Sequence, residues 1–232
     1  MNRGIATCAA LFALSLPACA PRGDDALVAS VRALRPSVVL LTMKVPPEHK
    51  SDRYDDAYGT GTVVASGAWG SDILTVQHAI DGAWDMHASL RDAKNVVAWT
   101  IAADANRDVA LVRTTEPDLP VARLGSSKGL IDQLGRRVAL VGYPIPDEFS
   151  DEGLRQAPSI NTGILSSIRN DSIEVTLPIV PGESGAAVFI ADTGEIIGIA
   201  DSRFDDERSI GFAIPIDDAK AFLHEHDAAH GF

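Results

Sequence analysis

The sequence predicts an all-β protein: twelve short strands in two sets of six, with one helix before the first strand and another after the last. Three observations carry that prediction. Short apolar runs rich in valine and isoleucine recur along the body of the chain, each bounded by Gly, Asp, Ser or Pro. Residues 117–135, PDLPVARLGSSKGLIDQLG, lack strand character and read as a linker that divides the runs into halves. Only two segments have helical spacing and helix stop signals. Strands at this spacing build barrels or sandwiches, not alternating βα units. With 46% hydrophobic and 22% charged residues, a chain of 232 residues can bury a real core. A formal net charge of −12 argues against nucleic acid as a partner, because phosphate binding needs clustered Lys and Arg.

The first twenty residues, MNRGIATCAALFALSLPACA, are of another kind. One positive charge, Arg3, precedes an uncharged, mostly apolar stretch from Gly4 to Leu16. That stretch is too short to cross a bilayer as a helix and suits the apolar core of a secretory signal. Two cleavage modes compete. Ala18-Cys19-Ala20 has the small-x-small form of ordinary cleavage, but Pro21 is a poor partner for a cleaved bond. LPAC (16–19) resembles a bacterial lipobox, in which the cysteine is lipidated and becomes the mature N-terminus. The expectation is a signal peptide over 1–18 and a lipid anchor on Cys19. The domain would then be extracytoplasmic, in the periplasm or cell envelope, and on the outer membrane if the source has two membranes. Cys8 and Cys19 are the only cysteines, so the body can form no intramolecular disulfide.

In chain order, residues 19–34 read as a polar tether and a short helix, DALVASVRAL (25–34), stopped by Pro36. Candidate strands of the first set are 37–45, 59–65, 72–76, 86–90, 95–102 and 108–113. Those of the second are 137–143, 161–168, 172–177, 186–190, 195–201 and 211–215. DDAKAFLHEHDAA (217–229) is the second helix. His224 and His226 within it project about 200° apart on a helix, so they cannot converge on one metal ion.

Ser184 stands in PGESGAAVF (181–189), between two glycines and ahead of an apolar run. Alone, this motif is a tight turn. His78, in LTVQHAI, directly follows an apolar strand, where a side chain can point into a cleft; alone it is a structural histidine. Asp108 opens DVALVR; alone it is a turn former. Together the three run His, Asp, Ser along the chain, the order of the chymotrypsin arrangement and not of subtilisin or the α/β-hydrolases. The serine motif also lacks the glycine that a hydrolase elbow carries two residues after its serine.

With these segments in place, the chain resembles a trypsin-like serine protease of the bacterial HtrA type. TVQHAI resembles that family's histidine segment and RDVALVR its aspartate segment. NTGILSSI, PGESGAAV, EIIGIAD and IGFAIPID match successive strands of its second barrel, and RPSVVLLTM and GTGTVVA the first strands of its first. The similarity runs from about Arg35 to Leu223. It implies the chymotrypsin/trypsin-like fold: two perpendicular six-stranded antiparallel β-barrels, about 36–116 and 135–215, within a protease domain over 35–223. Residues 224–232 would be a tail.

The resemblance also implies roles. Ser184 would be the nucleophile, His78 the base that takes its proton, and Asp108 the group that orients the ring. The amides of Gly182 and Ser184 would form the oxyanion hole. No cofactor and no metal ion are expected. The partners would be polypeptide substrates, with an oligomer left open; the competing expectation is a catalytically silent domain that binds peptides or an envelope partner. Two departures bear on the serine turn. Glu183 stands where the family commonly has Asn or Asp, so a longer acid is expected to strain the turn. Ala186 stands where the family usually has Gly, so its methyl is expected to crowd it. A PDZ domain usually follows in that family, and with nine residues after Leu223 the expectation is a protease domain without one.

By the same resemblance, 177–182, 198–202 and 210–215 would wall the primary pocket, with Ile179, Ala200 and Phe212 or Ala213 facing it. An apolar wall penalises a charged side chain and separates aliphatic ones weakly, so cleavage is expected after Val, Ala or Ile. Asp201 would favour Arg or Lys if it turned inward, but strand alternation puts it on the face opposite Ala200.

Overall fold

Each of the twelve runs forms a strand, and the two sets close into two antiparallel barrels of six. The computed structural model describes residues 23–46, 57–90, 94–144, 157–201 and 210–226. The signal segment and Cys19 lie outside the described residues.

The first barrel contains β1 (Val38–Lys44), β2 (Ala57–Gly67), β3 (Gly70–Thr75), β4 (Trp84–Ser89), β5 (Asn95–Asp104) and β6 (Val109–Thr114). Its order around the barrel is β1-β2-β3-β6-β5-β4. The second contains β7 (Arg137–Gly142), β8 (Ser159–Ile168), β9 (Ile173–Val175), β10 (Ala187–Ile190), β11 (Ile196–Asp201) and β12 (Gly211–Pro215). Its order, β7-β8-β9-β12-β11-β10, repeats the first strand for strand. No internal repeat is visible in the residues, so the duplication is one of topology. Closure satisfies the strand edges that an open sheet would leave exposed.

Strand alternation explains why these runs read as almost continuously apolar. In β1, Val39 and Leu41 fill the first barrel with Val63, Ile73 and Val112. Their neighbours Val38 and Leu40 face the other way, into a cluster shared by both barrels with Leu74, Leu111, Val141 and Phe189. Val138, Leu140, Leu165, Ile173 and Val188 fill the second barrel. A strand of this kind has its interior face in a barrel core and its exterior face in the interface, so neither face is polar. Where the exterior meets water the pattern opens: Val97 and Trp99 of β5 are 62% and 41% exposed.

The helices are α1 (Gly23–Leu34), the one-turn α2 (Gln77–Ile80), which sequence spacing did not reveal, and α3 (Ile216–His226). The linker is stapled to both barrels: the Ala122 N–H donates to the Val63 carbonyl (2.9 Å) and the Gly125 N–H to the Ile196 carbonyl (3.0 Å). Asp217, in the first turn of α3, fastens it further. One oxygen accepts from the Ser126 hydroxyl (2.8 Å), the Ser127 N–H (2.8 Å) and the Ser127 hydroxyl (3.0 Å). Burial disfavours the charge, yet these donors, with Lys220 nearby, hold the carboxyl down at about 2. No helix among the described residues is long and apolar enough to cross a membrane.

Candidate active site

β3 ends at Thr75, and the chain turns at once into α2, which carries His78. Asp108 closes the turn between β5 and β6 and is 2% exposed. Its backbone has φ of +55°, the left-handed region that non-glycine residues visit at a cost. That backbone is held in place by its neighbour, since the Gln77 N–H donates to the Asp108 carbonyl (3.2 Å). Each of its carboxylate oxygens meets His78. Oδ1 accepts the His78 backbone N–H (2.9 Å), and Oδ2 lies 2.7 Å from His78 Nδ1. A carboxylate only accepts, so Nδ1 carries the proton and Nε2 presents its lone pair. Nε2 lies 3.1 Å from Ser184 Oγ. The structure thus brings together three residues taken from three separate segments of chain.

Ser184 sits on a turn that both barrels grip. Val180-Pro181-Gly182-Glu183 has the signature of a type II turn: Pro at the first central position, Gly at the second with φ of +92°, and the Glu183 N–H donating to the Val180 carbonyl (2.9 Å). From the first barrel, the Thr60 hydroxyl donates to the Gly182 carbonyl (2.7 Å) and the Thr60 N–H to the Ser184 carbonyl (2.8 Å). From the second, the Ala200 carbonyl accepts the Gly185 N–H (2.9 Å). Gly185 itself has φ of +87°, and a Cβ there would fall 2.1 Å from the Thr60 carbonyl oxygen. No side chain fits, so the glycine after the serine is a packing requirement. Thr60 and Gly185 were not singled out in the sequence; GTGT and the Ser-Gly pair are the signals that could have done so.

Both expected disturbances of this turn are absent. Glu183 is fully buried, yet its carboxylate is engaged: Oε2 accepts the Val180 N–H (3.0 Å) and Oε1 the Asn161 side-chain amide (3.1 Å). Burial pushes its carboxyl up to about 7, against the pull of the Val180 N–H. Room for Ala186 comes from Gly142 at the end of β7. A Cβ at that glycine would lie 2.8 Å from the Ala186 methyl and 3.3 Å from Glu183 Cγ. The longer acid and the extra methyl are thus both matched by a missing side chain opposite.

Ala200 and Ala213 pair across β11 and β12 and lie, with Ile179 packed against them, in the apolar cluster of the second barrel. Phe212 pairs with Asp201 and faces the other way. Asp201 is 5% exposed, and one of its oxygens, one of Asp108 and a ring nitrogen of His78 all lie within 4.8 Å of one another. Alternation separated Asp201 from Ala200 as expected; that its face is the one carrying His78 was not foreseen. These three are the group among the described residues that could approach a cation. Both ring nitrogens of His78 are already in hydrogen bonds to Asp108 and Ser184.

A serine hydroxyl, an oriented imidazole and a buried carboxylate between two barrels form an arrangement found in one reaction class. The family model of the trypsin-like peptidase domain matches residues 59–199, more than half of the chain. The chain belongs to the trypsin-like peptidase family.

Among its relatives, this trypsin-like peptidase is 31% identical over 189 residues to a probable periplasmic serine endoprotease DegP-like of Halomonas elongata, covering 75% of this chain and 36% of that one. It is 33% identical over 192 residues to a putative serine protease HhoA of Synechocystis sp., covering 76% of this chain and 44% of that one. A solved structure of the HtrA-type protease AlgW with a tripeptide superposes with a TM-score of 0.70 at 25% identity, covering 86% of this chain and 62% of that one. The HtrA-type resemblance is borne out. The chain spans less than half the length of these curated relatives.

Proposed function

We propose that this peptidase is an extracytoplasmic serine endopeptidase that cuts polypeptides through an acyl-enzyme formed on Ser184. One observation carries the reading: the continuous run of hydrogen bonds from Asp108 through His78 to Ser184 Oγ. Relatives named as periplasmic serine endoproteases support both the activity and the compartment.

The geometry suits each step. With Nδ1–H held by Asp108, Nε2 takes the Ser184 proton as Oγ attacks the scissile carbonyl carbon. The carbonyl oxygen becomes an oxyanion received by the amides of Gly182 and Ser184. The imidazolium then gives its proton to the leaving amine, the C–N bond breaks, and the acyl group stays on Oγ. Water repeats the sequence: His78 takes its proton, the hydroxide adds to the acyl carbon, and Ser184 leaves with the proton returned. Asp108 stays ionised throughout and stabilises the imidazolium.

Ile179, Ala200 and Ala213 would form an apolar primary pocket that accepts small or medium aliphatic side chains, and Phe212, on the other face of its strand, would not line it. Cys19 would carry a lipid that tethers the domain to a membrane surface. Reaction with a fluorophosphonate tests the activity. Labelling confined to Ser184, and lost with peptide cleavage in Ser184→Ala, is the expected result; cleavage at an unchanged rate in that variant would sink the mechanism. For the anchor, mass spectrometry of the mature N-terminus should find a lipidated Cys19. An unmodified chain beginning at Pro21 or later would refute it.

A further inference from the structure

Glu183 is a fully buried carboxyl to which the mechanism assigns no role, and its bonds tie together the turn that would carry the oxyanion donors. It is joined to Val180 twice: backbone N–H to carbonyl in one direction, and Val180 N–H to Oε2 in the other. Oε1 is fixed from β8 by Asn161. Types I and II of such a turn differ by rotation of the central peptide, here Pro181–Gly182, whose N–H is that of Gly182. Whatever holds the turn as type II therefore sets where the Gly182 N–H points.

We propose that Glu183 is a positioning residue for the oxyanion turn: its ionised carboxylate, bridging the Val180 N–H and the Asn161 amide, holds the Pro181–Gly182 peptide in the orientation that presents the Gly182 N–H to substrate. The proposal rests on the protease reading for its consequence in catalysis, but not for the bridge itself.

An acid form cannot make the same bridge. Both oxygens face donors, so a proton on either one needs an acceptor and weakens a bond that charge had strengthened. With burial bringing the carboxyl to about 7, the turn is held above neutral pH and released below it. Among the described residues, the groups packed around Glu183 leave it as the titrating element of the turn itself. β8, among the described residues, supplies the neutral Asn161. β7 ends beside it at Gly142 and Tyr143, whose hydroxyl burial pushes up to about 12. β2 offers the hydroxyl of Thr60. His78, Asp108 and Asp201 are the charged and titratable groups beyond Ser184.

The turn can be read directly in the 15N–1H NMR spectrum of the intact protein. The amides of Val180 and Gly182 should shift with a midpoint near pH 7 in the wild type and stay still over that range in Glu183→Gln. Val180 and Gly182 amides that do not move in the wild type, or that move equally in the variant, overturn the proposal. Turnover provides the second reading. Glu183→Ala should lower kcat by about 100-fold or more, the loss typical of one oxyanion donor, with KM far less affected. In Glu183→Gln the side-chain oxygen can still accept from Val180, and Asn161 can reverse its amide to accept from the new NH2. That variant should recover most of the turnover at pH 8, and its kcat/KM relative to wild type should rise about tenfold between pH 8 and pH 6. Parallel pH profiles would overturn the proposal. Moving amides without hydrolysis in any variant would support the bridge and count against the protease reading alone.

Discussion

Asp108 shows how much one residue is asked to do here. It accepts a left-handed backbone, gives up nearly all solvent contact, and meets His78 with both oxygens. The bond to Nδ1 sets the tautomer, so Asp108→Asn, with an NH2 able to face the ring, should leave the fold intact and cut turnover by roughly 10⁴-fold, checked with a chromogenic peptide. Glu183 illustrates the opposite cost. Its carboxyl titrates at about 7 in the folded protein against 4.5 ordinarily, so the native state holds the proton more tightly. That stability is fully present below pH 4.5 and is lost as pH rises through 7, by about 3 kcal/mol over the interval. Unfolding by denaturant across pH 4.5–8 should show this decline in the wild type and not in Glu183→Gln; equal slopes would show that the carboxyl is not shifted. The residue that orders the turn as an anion thus stabilises the fold as an acid, a trade of stability for function.

At the scale of elements, the turn 180–185 is held from outside. Thr60 of β2 and Ala200 of β11 bind its backbone, and the end of β7 makes room for its side chains. Gly142 and Ala186 form a complementary pair: the methyl present at one position occupies the space where the other lacks one. Gly142→Ala should therefore drive a methyl into Ala186, costing about 1–3 kcal/mol and most of the activity. Adding Ala186→Gly should recover much of both losses, measured as a double-mutant cycle of unfolding free energy. Additive losses would mean that the contact does not couple the two sites. Elements were also where local reading of the sequence was strongest. All twelve strands had announced themselves by β-branched residues between turn formers, and α1 and α3 by helical spacing with a stop signal. The one-turn α2 had not, because four residues are too few to display a period.

For the whole molecule, the proposed substrate site arises between barrels of identical strand order, so its specificity would depend on how the second barrel presents its apolar wall. Ala200 and Ala213 are small and buried, and the nearby acid, Asp201, lies on the other face of its strand. Profiling with a peptide library should show cleavage after Val, Ala or Ile; a dominant preference for Arg or Lys would show that an acid lines the pocket after all. The proposed anchor on Cys19 belongs to this scale as well, since a lipid there would keep the cleft close to a membrane surface.

The sequence by itself determined the class of the fold, the number and place of its strands, and the candidates for its chemistry. Those are written locally, in alternation, turn formers and the order of His, Asp and Ser. Only the tertiary structure decided which side chains meet. Thr60 reaches Gly182 across 122 residues of chain, and His78 reaches Ser184 across 106. That Gly142 makes space for Ala186, that Asn161 answers Glu183, and that Asp201 joins the face of His78 were likewise invisible along the chain. The physical reason is closure. A period of two tells each strand which residues share a face, but two barrels must close and pack before it is settled which faces touch.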